Sequence, residues 1–574
     1  MHPSKPRLPR YARLLLVAAV VAGWLPLEAA SRPAARGTDG MVVSPEARAT
    51  AVGVEVLAAG GNAVDAAVAV AFALGVTYPL AAGLGGGGFL LIRQPDGSYH
   101  ALDFRETAPA AIGRELFVDD DGRPIAGLSL DTGLAVGVPG TVAGLAAAHA
   151  RWGSLPWADL VRPAISLARD GFEVYPWLEH AFDTEAEHLL ADDAAREIFA
   201  PVGRPLASGQ RLVQADLATT LEAVAQRGPR GFYEGQVAAR LVAAVQKAGG
   251  VLNERDLADY EPSERRPIEG RYRGHRVVTF PPPSSGGVTL LQMLAMLERF
   301  DLGSAGWGAS LTVHLMTEAE RRAFADRARW LGDPGFYAVP LDRLLDTDYL
   351  KTRAASIRPD RATASRSVGP GDPSDDDRGE TMHFSIGDGD GRAIATTITL
   401  NRWFGTGIVA AGTGVLLNNE IDDFAIVPGT PNLYGLSGGE ANAIAGGKRP
   451  LSSMTPTIVE APGGGPRPLL VLGSPGGSTI PTTILQVLLN VIDHGMTLQE
   501  AVDAPRLHHQ WQPDRIVHEP RALPPDVMVN LIARGHALVP AERPLGNVSA
   551  IGVAADGAWL GAADPRRQGA AAGR

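Results

Sequence analysis

Two helical patterns open the folded part of the sequence. Ser44, followed by proline and glutamate, is typical of a helix start, with Ser44 as the N-cap and proline at the first helical position. This helix is predicted to end at the glycine pair 60–61. Asn62 then caps a second helix, residues 63 to about 74, which is apolar on nearly every side. Such a helix must be buried between layers of structure.

Strand patterns follow, and helices come after them. Residues 89–104 are predicted to form a β-hairpin, with the turn at the Pro-Asp-Gly of residues 95–97. Residues 133–260 are mainly amphipathic helices, for example residues 158–170 and 235–248. Long helical stretches beside paired strands predict layered α/β structure in which helices cover sheets.

The pattern breaks at residues 367–380, which are polar, acidic and rich in glycine, proline and serine. A strand pattern resumes at once in residues 382–388 and 392–400, joined by a glycine-rich turn. Later, residues 467–473 are predicted to form a strand and residues 480–494 a long apolar helix. The break therefore separates two regions that both contain strands and helices.

The N-terminus has the pattern of an export signal. Four basic residues precede a short apolar run, residues 14–23, and small residues follow at 29–31. This arrangement is typical of a secretory signal peptide. The alternative is a membrane anchor, but the run is broken at Pro26 and is shorter than a bilayer span requires. We expect residues 1–30 to be removed and the protein to be periplasmic or secreted, without a membrane segment after cleavage.

Composition narrows the classes of function. The 574 residues include 52 basic and 63 acidic side chains, so the net charge is −11 and no basic excess exists to bind nucleic acid. The sequence contains no cysteine, which excludes disulfides, zinc–thiolate sites, iron–sulfur clusters and a cysteine nucleophile. The length suits three or four domains or one large layered enzyme.

Several short motifs have plainer explanations than the sites they suggest. Residues 83–88 match a dinucleotide fingerprint but lie between a helix and a strand, in the reverse of the required order, so they predict a close backbone crossing. Asp388 and Asp390 lack the remaining ligands of a calcium loop. His508 and His509 are adjacent and point in different directions, which argues against a metal site. We expect no metal and no cofactor.

Thr381 stands where the acidic stretch meets a strand. If the bond before it breaks, its hydroxyl and a free α-amine lie on one residue, and an amine of pKa about 7.7–8.0 suits a base for that hydroxyl. Residues 473–478 follow a strand and precede a helix, so their N–H groups could hold an anion or an oxyanion. Residues 418–423 hold three acids that could bind an ammonium group or form a solvated loop.

These motifs occur in an order that resembles the gamma-glutamyltranspeptidase family over roughly residues 37–567. The matching strings are Asp103-Phe104-Arg105-Glu106, Thr381-Met382-His383-Phe384-Ser385, Thr399-Leu400-Asn401, Phe404-Gly405-Thr406-Gly407, residues 417–424, Arg449-Pro450-Leu451-Ser452-Ser453-Met454, residues 473–478 and residues 563–567. The resemblance implies an α+β fold, a four-layer αββα sandwich of the N-terminal-nucleophile hydrolases. It also implies a proenzyme that cuts itself into a 31–380 large subunit and a 381–574 small subunit, which form a heterodimer.

The resemblance assigns roles to residues of this chain. Thr381 would be the nucleophile, and Thr399 would hydrogen-bond it. The α-carboxylate of a γ-glutamyl group would be held by Arg105, Ser452 and Ser453, and its α-ammonium by Asn401, Glu420 and Asp423. The N–H groups of Gly476 and Gly477 would form the oxyanion hole, and Tyr434 would cover the bound substrate from a lid loop.

The implied reaction is attack of Thr381 on γ-glutamyl amides such as glutathione, with water, an amino acid or a dipeptide accepting the γ-glutamyl group. Met382 differs from many relatives, and Arg402 and Trp403 are bulky beside the pocket motif, which leaves the acceptor open. Ser549 also stands where many relatives have glutamine, and none of these differences touches the core chemistry. A related acylase or poly-γ-glutamate depolymerase, and a secreted binding protein that has lost catalysis, are the alternatives.

Overall fold

Two seven-stranded antiparallel sheets form the middle of the protein. The structure is a computed structural model and describes residues 31–368 and 381–574, so the predicted leader and residues 369–380 of the acidic stretch lie outside the described residues. We name the sheet that contains Thr381 sheet I and the sheet facing it sheet II. In spatial order, sheet I comprises Ala570–Gly573, Gly40–Ser44, Thr381–Asp388, Ala393–Thr399, Gly87–Arg93, Tyr99–Phe104 and Ser263–Arg265. Sheet II comprises Ala35–Gly37, Trp559–Ala563, Ser549–Val553, Leu470–Gly473, Thr457–Glu460, His275–Thr279 and Ile268–Tyr272.

Helices cover the outer face of each sheet and complete four layers. Beside sheet I lie Ala47–Ala58, Ala63–Thr77, Thr141–Trp152, Trp157–Asp170, Pro176–Thr184, Ala186–Ala191, Asp193–Phe199, Ala215–Arg227, Arg230–Tyr233, Gln236–Lys247 and Glu254–Ala258. Beside sheet II lie Gly286–Leu297, Leu302–Ala305, Ser310–Trp330, Leu341–Leu344, Thr347–Ala355, Ile480–Ile492, Leu498–Asp503 and Pro525–Ala533. Three short strands, Leu507–His508, Ile516–His518 and Leu538–Pro540, pair separately, as do Val409–Ala410 with Val415–Leu416 and Phe172–Glu173 with Arg211–Leu212. The predicted αββα sandwich is confirmed.

The strand Thr381–Asp388 separates its side chains by face. Met382, Phe384 and Ile386 belong to the apolar core that includes the helices over sheet I. The alternate residues face sheet II, where the Ser385 hydroxyl donates to the Ser549 carbonyl over 3.0 Å. This alternation places the Thr381 side chain in the polar layer between the two sheets.

Local sequence signals place most of these elements correctly. The second helix begins at Asn62 with a capping box, because the Asn62 side chain accepts the N–H of Asp65 and the Asp65 carboxylate accepts the N–H of Asn62. The hairpin at residues 89–104 is confirmed as the paired strands Gly87–Arg93 and Tyr99–Phe104. The glycine run is confirmed as a backbone crossing, since a Cβ on Gly86 would lie 2.0 Å from the Thr399 carbonyl oxygen.

The predicted N-cap of the first helix is wrong. Ser44 ends a strand and pairs with Ala570, so its backbone is committed to sheet I. The helix begins at Ala47, and the Glu46 carboxylate accepts the N–H groups of Arg48 and Ala49 at 2.9 and 3.1 Å. A glutamate side chain is long enough to satisfy two unpaired N–H groups at a helix start, and it takes the role predicted for serine.

Candidate active site

Thr381 and Thr399 lie side by side at the ends of adjacent strands. They are register partners in sheet I, and both are buried. The Thr381 hydroxyl donates to Thr399 Oγ1 over 3.4 Å, and the same oxygen accepts the N–H of Asn401 at 2.8 Å. Asn401 has φ of 75°, so the chain turns sharply as it leaves the strand. The predicted nucleophile therefore has its predicted hydrogen-bond partner.

A loop formed by residues 431–437, which we call the lid loop, contacts the chain at Asn401, two residues after Thr399. The Tyr434 hydroxyl donates to the Asn401 carbonyl oxygen at 3.1 Å and to its side-chain oxygen. The Tyr434 ring lies against Gly477, where a Cβ would sit 2.1 Å from ring carbons. Only glycine leaves room for the ring at this position. Tyr434 is itself only 4% exposed, so the lid loop is closed in this structure.

Arg105 joins the predicted acids in one buried group. It follows the last residue of a sheet I strand, and its guanidinium donates to Glu420, to Asp423 and, through Nε at 3.3 Å, to the Pro450 carbonyl oxygen. Glu106 lies 3.7 Å from the same guanidinium. We call Arg105, Glu106, Glu420 and Asp423 the pocket cluster. The structure thus pairs the predicted carboxylate-binding and ammonium-binding groups with one another.

The carboxylates of the pocket cluster are poorly compensated. Burial raises the pKa of Glu106 to about 7 against the opposing effect of Arg105, and burial raises the pKa of Glu420 well above its ordinary value. Burial also raises the pKa of Asp423, again against Arg105. Both oxygens of Glu106 and Oε2 of Glu420 accept no hydrogen bond from the described residues. Unused acceptors of this kind suit a ligand that carries positive charge or N–H donors.

The lid loop and the pocket cluster are directly joined. Asn432 Nδ2 donates to Asp423 at 3.0 Å, and Asp423 accepts Arg105 through its other oxygen. The Tyr434 and Leu436 N–H groups both donate to the Asn432 side-chain oxygen. Hydrogen bonds therefore run from Thr381 through Thr399, Asn401 and the lid loop to the pocket cluster.

Ser452 and Ser453 act only as acceptors within the described parts of the chain. Ser452 Oγ accepts the N–H of Met454 at 3.1 Å, and Ser453 Oγ accepts Nη2 of Arg327 at 3.3 Å. A serine hydroxyl has one hydrogen to donate and two lone pairs. Both hydroxyl hydrogens thus remain available for a bound anion.

Gly476 and Gly477 have the backbone that an oxyanion site requires. Their φ angles are 129° and 54°, which glycine adopts without strain. They begin a short helical turn that leads into the helix Ile480–Ile492. Within residues 31–368 and 381–574, neither N–H donates a hydrogen bond. Two free N–H groups at a helix start can bind an oxyanion.

Four residues that contact the site had no predicted role. They are Glu106, Arg327, Asn432 and Gln510. Nε2 of Gln510 donates to the Tyr434 and Gly435 carbonyl oxygens. Their roles come from contacts between segments far apart in the sequence. Glu106 and Asn432 lie within two residues of the predicted residues Arg105 and Tyr434, but no motif assigned either of them a role.

Three groups of titratable residues elsewhere are structural. His508 hydrogen-bonds Thr482 and Gln510, and His509 accepts the Trp511 N–H, so the histidine pair supports the base of the lid loop. Asp388 accepts backbone N–H groups within its own turn. His314, Glu318 and His536 lie within 4.8 Å of one another. However, Arg322 and Thr363 already donate hydrogen bonds to the Glu318 carboxylate, and the positive charge of Arg322 opposes binding of a metal ion.

Comparisons with known proteins agree with this geometry. The profile of the family described as Gamma-glutamyltranspeptidase matches residues 49–574. A glutathione hydrolase proenzyme of Escherichia coli K12 is 46% identical over 97% of this chain and 98% of its own length. An acylase ACY 1 proenzyme of Pseudomonas sp. strain SE83 is 39% identical over 93% of both chains. The crystal structure of a cephalosporin acylase from Bacillus halodurans superposes with a TM-score of 0.82 at 28% identity, covering 96% of this chain and 98% of the other.

Family and fold are therefore shown by independent comparisons, one of sequence and one of structure. The sequence match extends through the strand that begins at Thr381, the lid loop and the serine pair. The structural match covers all four layers. This chain belongs to the gamma-glutamyltranspeptidase family.

Proposed function

We propose that this protein is a glutathione hydrolase and γ-glutamyltransferase that cleaves itself before Thr381. The observation that carries the proposal is the Thr381 side chain, buried between the sheets, hydrogen-bonded to Thr399 and linked through Asn401 and the lid loop to the pocket cluster. A nucleophile and a charged binding group are thereby connected. The family membership supports the same reaction.

Cleavage would give Thr381 a free α-amine beside its own hydroxyl. The new N-terminal amine takes the proton of its own hydroxyl as the oxygen attacks the γ-carbonyl carbon of the substrate. The oxyanion that forms accepts the N–H groups of Gly476 and Gly477. The amine then gives its proton to the leaving nitrogen, the C–N bond breaks, and an ester of Thr381 remains. Water hydrolyses this ester, or the amino group of an amino acid or dipeptide attacks it.

The glutamyl head group matches the polar groups around it. Arginine has five N–H donors, and Arg105 uses three, so two remain for the α-carboxylate together with the hydroxyls of Ser452 and Ser453. The free oxygen of Glu420, with Asp423 and the Asn401 side chain, would hold the α-ammonium. Tyr434 would then cover the bound head group. We expect both charges of the amino-acid head to be required for binding.

The two fragments should stay together as a heterodimer after cleavage. The strand Thr381–Asp388 pairs with Gly40–Ser44, and the strand Ala393–Thr399 pairs with Gly87–Arg93. Strands of the proposed 31–380 and 381–574 subunits are therefore interleaved within sheet I. Separating them would expose backbone hydrogen-bonding groups and the shared core.

The proposed location is the periplasm or the cell exterior, on the basis of the export signal in residues 1–30. In the described ranges, no helix combines the length and apolar character that crossing a bilayer demands. Amino acids and dipeptides are the proposed acceptors.

An acylase with a different acyl preference is the second candidate. It is supported by the acylase relatives in sequence and structure. The pocket cluster argues for γ-glutamyl substrates, because an acyl group without charges would leave Arg105 and its acids buried without a ligand.

The first test is a denaturing gel with N-terminal sequencing, followed by assays of glutathione and a γ-glutamyl anilide. We expect two fragments, the smaller one beginning at Thr381, and turnover of both substrates. Thr381→Ala should remain uncut and inactive. Thr396→Ala is a matched control, because Thr396 lies in the neighbouring strand and its buried hydroxyl has no hydrogen-bond partner among the described residues.

Each alternative has its own outcome. A single uncut wild-type chain without turnover would indicate a binding protein. Normal cleavage, with turnover of a glutaryl anilide that lacks the α-ammonium but not of the γ-glutamyl anilide, would indicate an acylase.

A further inference from the structure

Arg327 is a second buried arginine at the predicted carboxylate-binding serines. It lies on the helix Ser310–Trp330, on the sheet II side of the molecule, and is 5% exposed. Its Nε donates to Ser285 Oγ at 3.0 Å, and its Nη2 donates to Ser453 Oγ at 3.3 Å. The Ser285 hydroxyl in turn donates to the Ser452 carbonyl oxygen at 2.6 Å. One guanidinium thus fixes both members of the serine pair.

Arg327 differs from Arg105 in the charges around it. Arg105 contacts Glu420 and Asp423 and lies near Glu106. In contrast, no carboxylate of the described residues lies within 4.0 Å of the Arg327 guanidinium. Burial lowers the pKa of Arg327 to about 10, and Asp423 is the one acid that opposes this effect. A buried arginine bonded only to hydroxyls is a costly arrangement in the absence of an anion.

The pocket needs this additional positive charge. Without Arg327, the α-carboxylate would enter a group of one arginine and three acids. With Arg327, the two arginines face three acids, all of which have raised pKa values. The charge is then nearly balanced for a zwitterionic head group.

The hydrogen bond from Arg327 also orients Ser453. Because the guanidinium donates to the Ser453 oxygen, the hydroxyl hydrogen points elsewhere and remains available for a carboxylate. A hydroxyl polarised by a cation is a stronger donor than an isolated one. The planar fork of arginine reaches two hydroxyls at once, which a lysine ammonium on a flexible chain does not reproduce.

We propose that Arg327 is a positioning residue that orients Ser453 and Ser452 and supplies positive charge for the substrate α-carboxylate. This inference rests on the proposed function, since it names the same glutamyl head group. Arg327 would act through the serines and would leave the chemical step at Thr381 unchanged.

The test compares Arg327→Gln and Arg327→Lys with Arg322→Lys as the control. Arg322 lies on the same helix and is equally buried, but it pairs with Glu318 away from the serines. Self-cleavage and Tm of each variant report folding. The readouts are KM and kcat for a γ-glutamyl anilide and, independently of turnover, the calorimetric Kd for L-glutamate.

We expect Arg327→Gln to raise KM and Kd about 10- to 100-fold with kcat changed less than about threefold, because a charge-assisted contact to the carboxylate is weakened. Arg327→Lys should raise both about 3- to 10-fold, and Arg322→Lys should change them less than about twofold. If Arg327→Gln does not fold, the lysine variant gives the result. Unchanged KM and Kd in either folded Arg327 variant would overturn the proposal.

A double-mutant cycle with Ser453→Ala tests the route of the effect. If Arg327 acts through Ser453, the combined variant should bind L-glutamate no more than about twofold more weakly than the worse single variant. Fully additive losses would overturn the proposal that Arg327 acts through this serine. Wild-type protein that binds L-glutamate but does not turn over glutathione would contradict the proposed function alone, whereas wild-type protein that binds no L-glutamate would contradict both.

Discussion

Two buried groups of arginines and carboxylates differ in how completely their charges are satisfied. The pocket cluster has acids with unused oxygens. The second group, which we call the scaffold cluster, consists of Arg506, Glu519, Asp564 and Arg566. In the scaffold cluster, every carboxylate oxygen accepts two hydrogen bonds from arginine or backbone N–H groups. Only Nε of Arg506 lacks a partner among the described residues of the scaffold cluster, so its acids are fully bonded, whereas the acids of the pocket cluster have capacity for a ligand.

The pKa values of the acids shift in opposite directions in the two clusters, because the acids differ in how many hydrogen bonds they accept. Burial raises the pKa of every buried acid, but in the scaffold cluster Arg506 and Arg566 outweigh burial and lower the pKa of Asp564 and Glu519. In the pocket cluster, burial outweighs Arg105, and the pKa values of the acids rise. Incomplete compensation, rather than the presence of buried charge, therefore distinguishes the proposed binding site from the scaffold cluster.

The largest effect should come from breaking the scaffold cluster. Asp564→Ala leaves Arg506 and Arg566 without a shared carboxylate, and we expect a loss of about 3–5 kcal/mol in the free energy of unfolding. Denaturant titration and the yield of self-cleaved protein measure it. Asp556→Ala removes an exposed ion pair with Arg36 and should leave the stability nearly unchanged. Equal stability of the two variants would remove the distinction between buried and exposed pairs.

Glu106→Gln and Glu519→Gln should give opposite pH dependences. Because the pKa of Glu106 is raised to about 7, its favourable contribution is fully present below the unfolded pKa of about 4.3 and is lost as pH rises through 7. Because the pKa of Glu519 is lowered, its contribution is present above about 4.3 and is lost as pH falls through its folded pKa.

The Tm measured from pH 4 to pH 8.5 tests this pair. Glu106→Gln should remove a fall in stability of up to about 3 kcal/mol between pH 5 and pH 8. Glu519→Gln should be less stable than wild type at pH 7, and the deficit should shrink in acid. Parallel curves for wild type and Glu106→Gln would show that Glu106 does not titrate in this range.

Arg105→Lys tests the pocket cluster itself. The positive charge is kept, but the planar fork is lost, so we expect KM for a γ-glutamyl anilide to rise about 10- to 100-fold while self-cleavage is retained. Arg93→Lys is a matched control, because Arg93 is also a buried arginine of sheet I but pairs with Glu460. Unchanged kinetics in the Arg105 variant would exclude it from the site, and failure to cleave would give it a structural role.

Tyr434→Phe should give the smallest change. It removes the hydroxyl that holds the lid loop to Asn401 and keeps the ring against Gly477. The loss of one hydrogen bond predicts a rise in KM of about 3- to 10-fold. Tyr272→Phe, which removes a hydrogen bond between a sheet II strand and Asp493, should leave KM unchanged. Equal KM values for both variants would mean that the lid loop does not depend on this contact.

The sequence predicts elements whose signals are local. The capping box at Asn62, the hairpin after Gly87 and the strand from Thr381 each depend on residues a few positions apart. Ser44 was assigned incorrectly because a strand pairing with Ala570, more than 500 residues away, overrides its preference for a helix cap. Local rules predict an element but do not predict the partner that changes its boundary.

The residues of the site also divide into those that a sequence motif predicts and those that only the fold brings together. Thr381, Arg105, Asp423 and Tyr434 were predicted from motif order, and the structure brings them into one connected group, whereas their individual roles stay predictions. Arg327 was missed because its helix, Ser310–Trp330, carries charges on all sides and has no pattern typical of a buried helix. Charged residues on this helix are nevertheless buried, because they satisfy one another and distant serines.

Intact mass spectrometry of the 381–574 fragment during turnover of glutathione tests the central claim most directly. In a sample quenched in acid during steady state, we expect a fraction of this fragment to carry one γ-glutamyl group, located on the N-terminal threonine by fragmentation. The adduct should disappear when glutathione is exhausted. Consumption of glutathione by a fragment that stays unmodified, or that carries the group on another residue, would contradict Thr381 as the nucleophile.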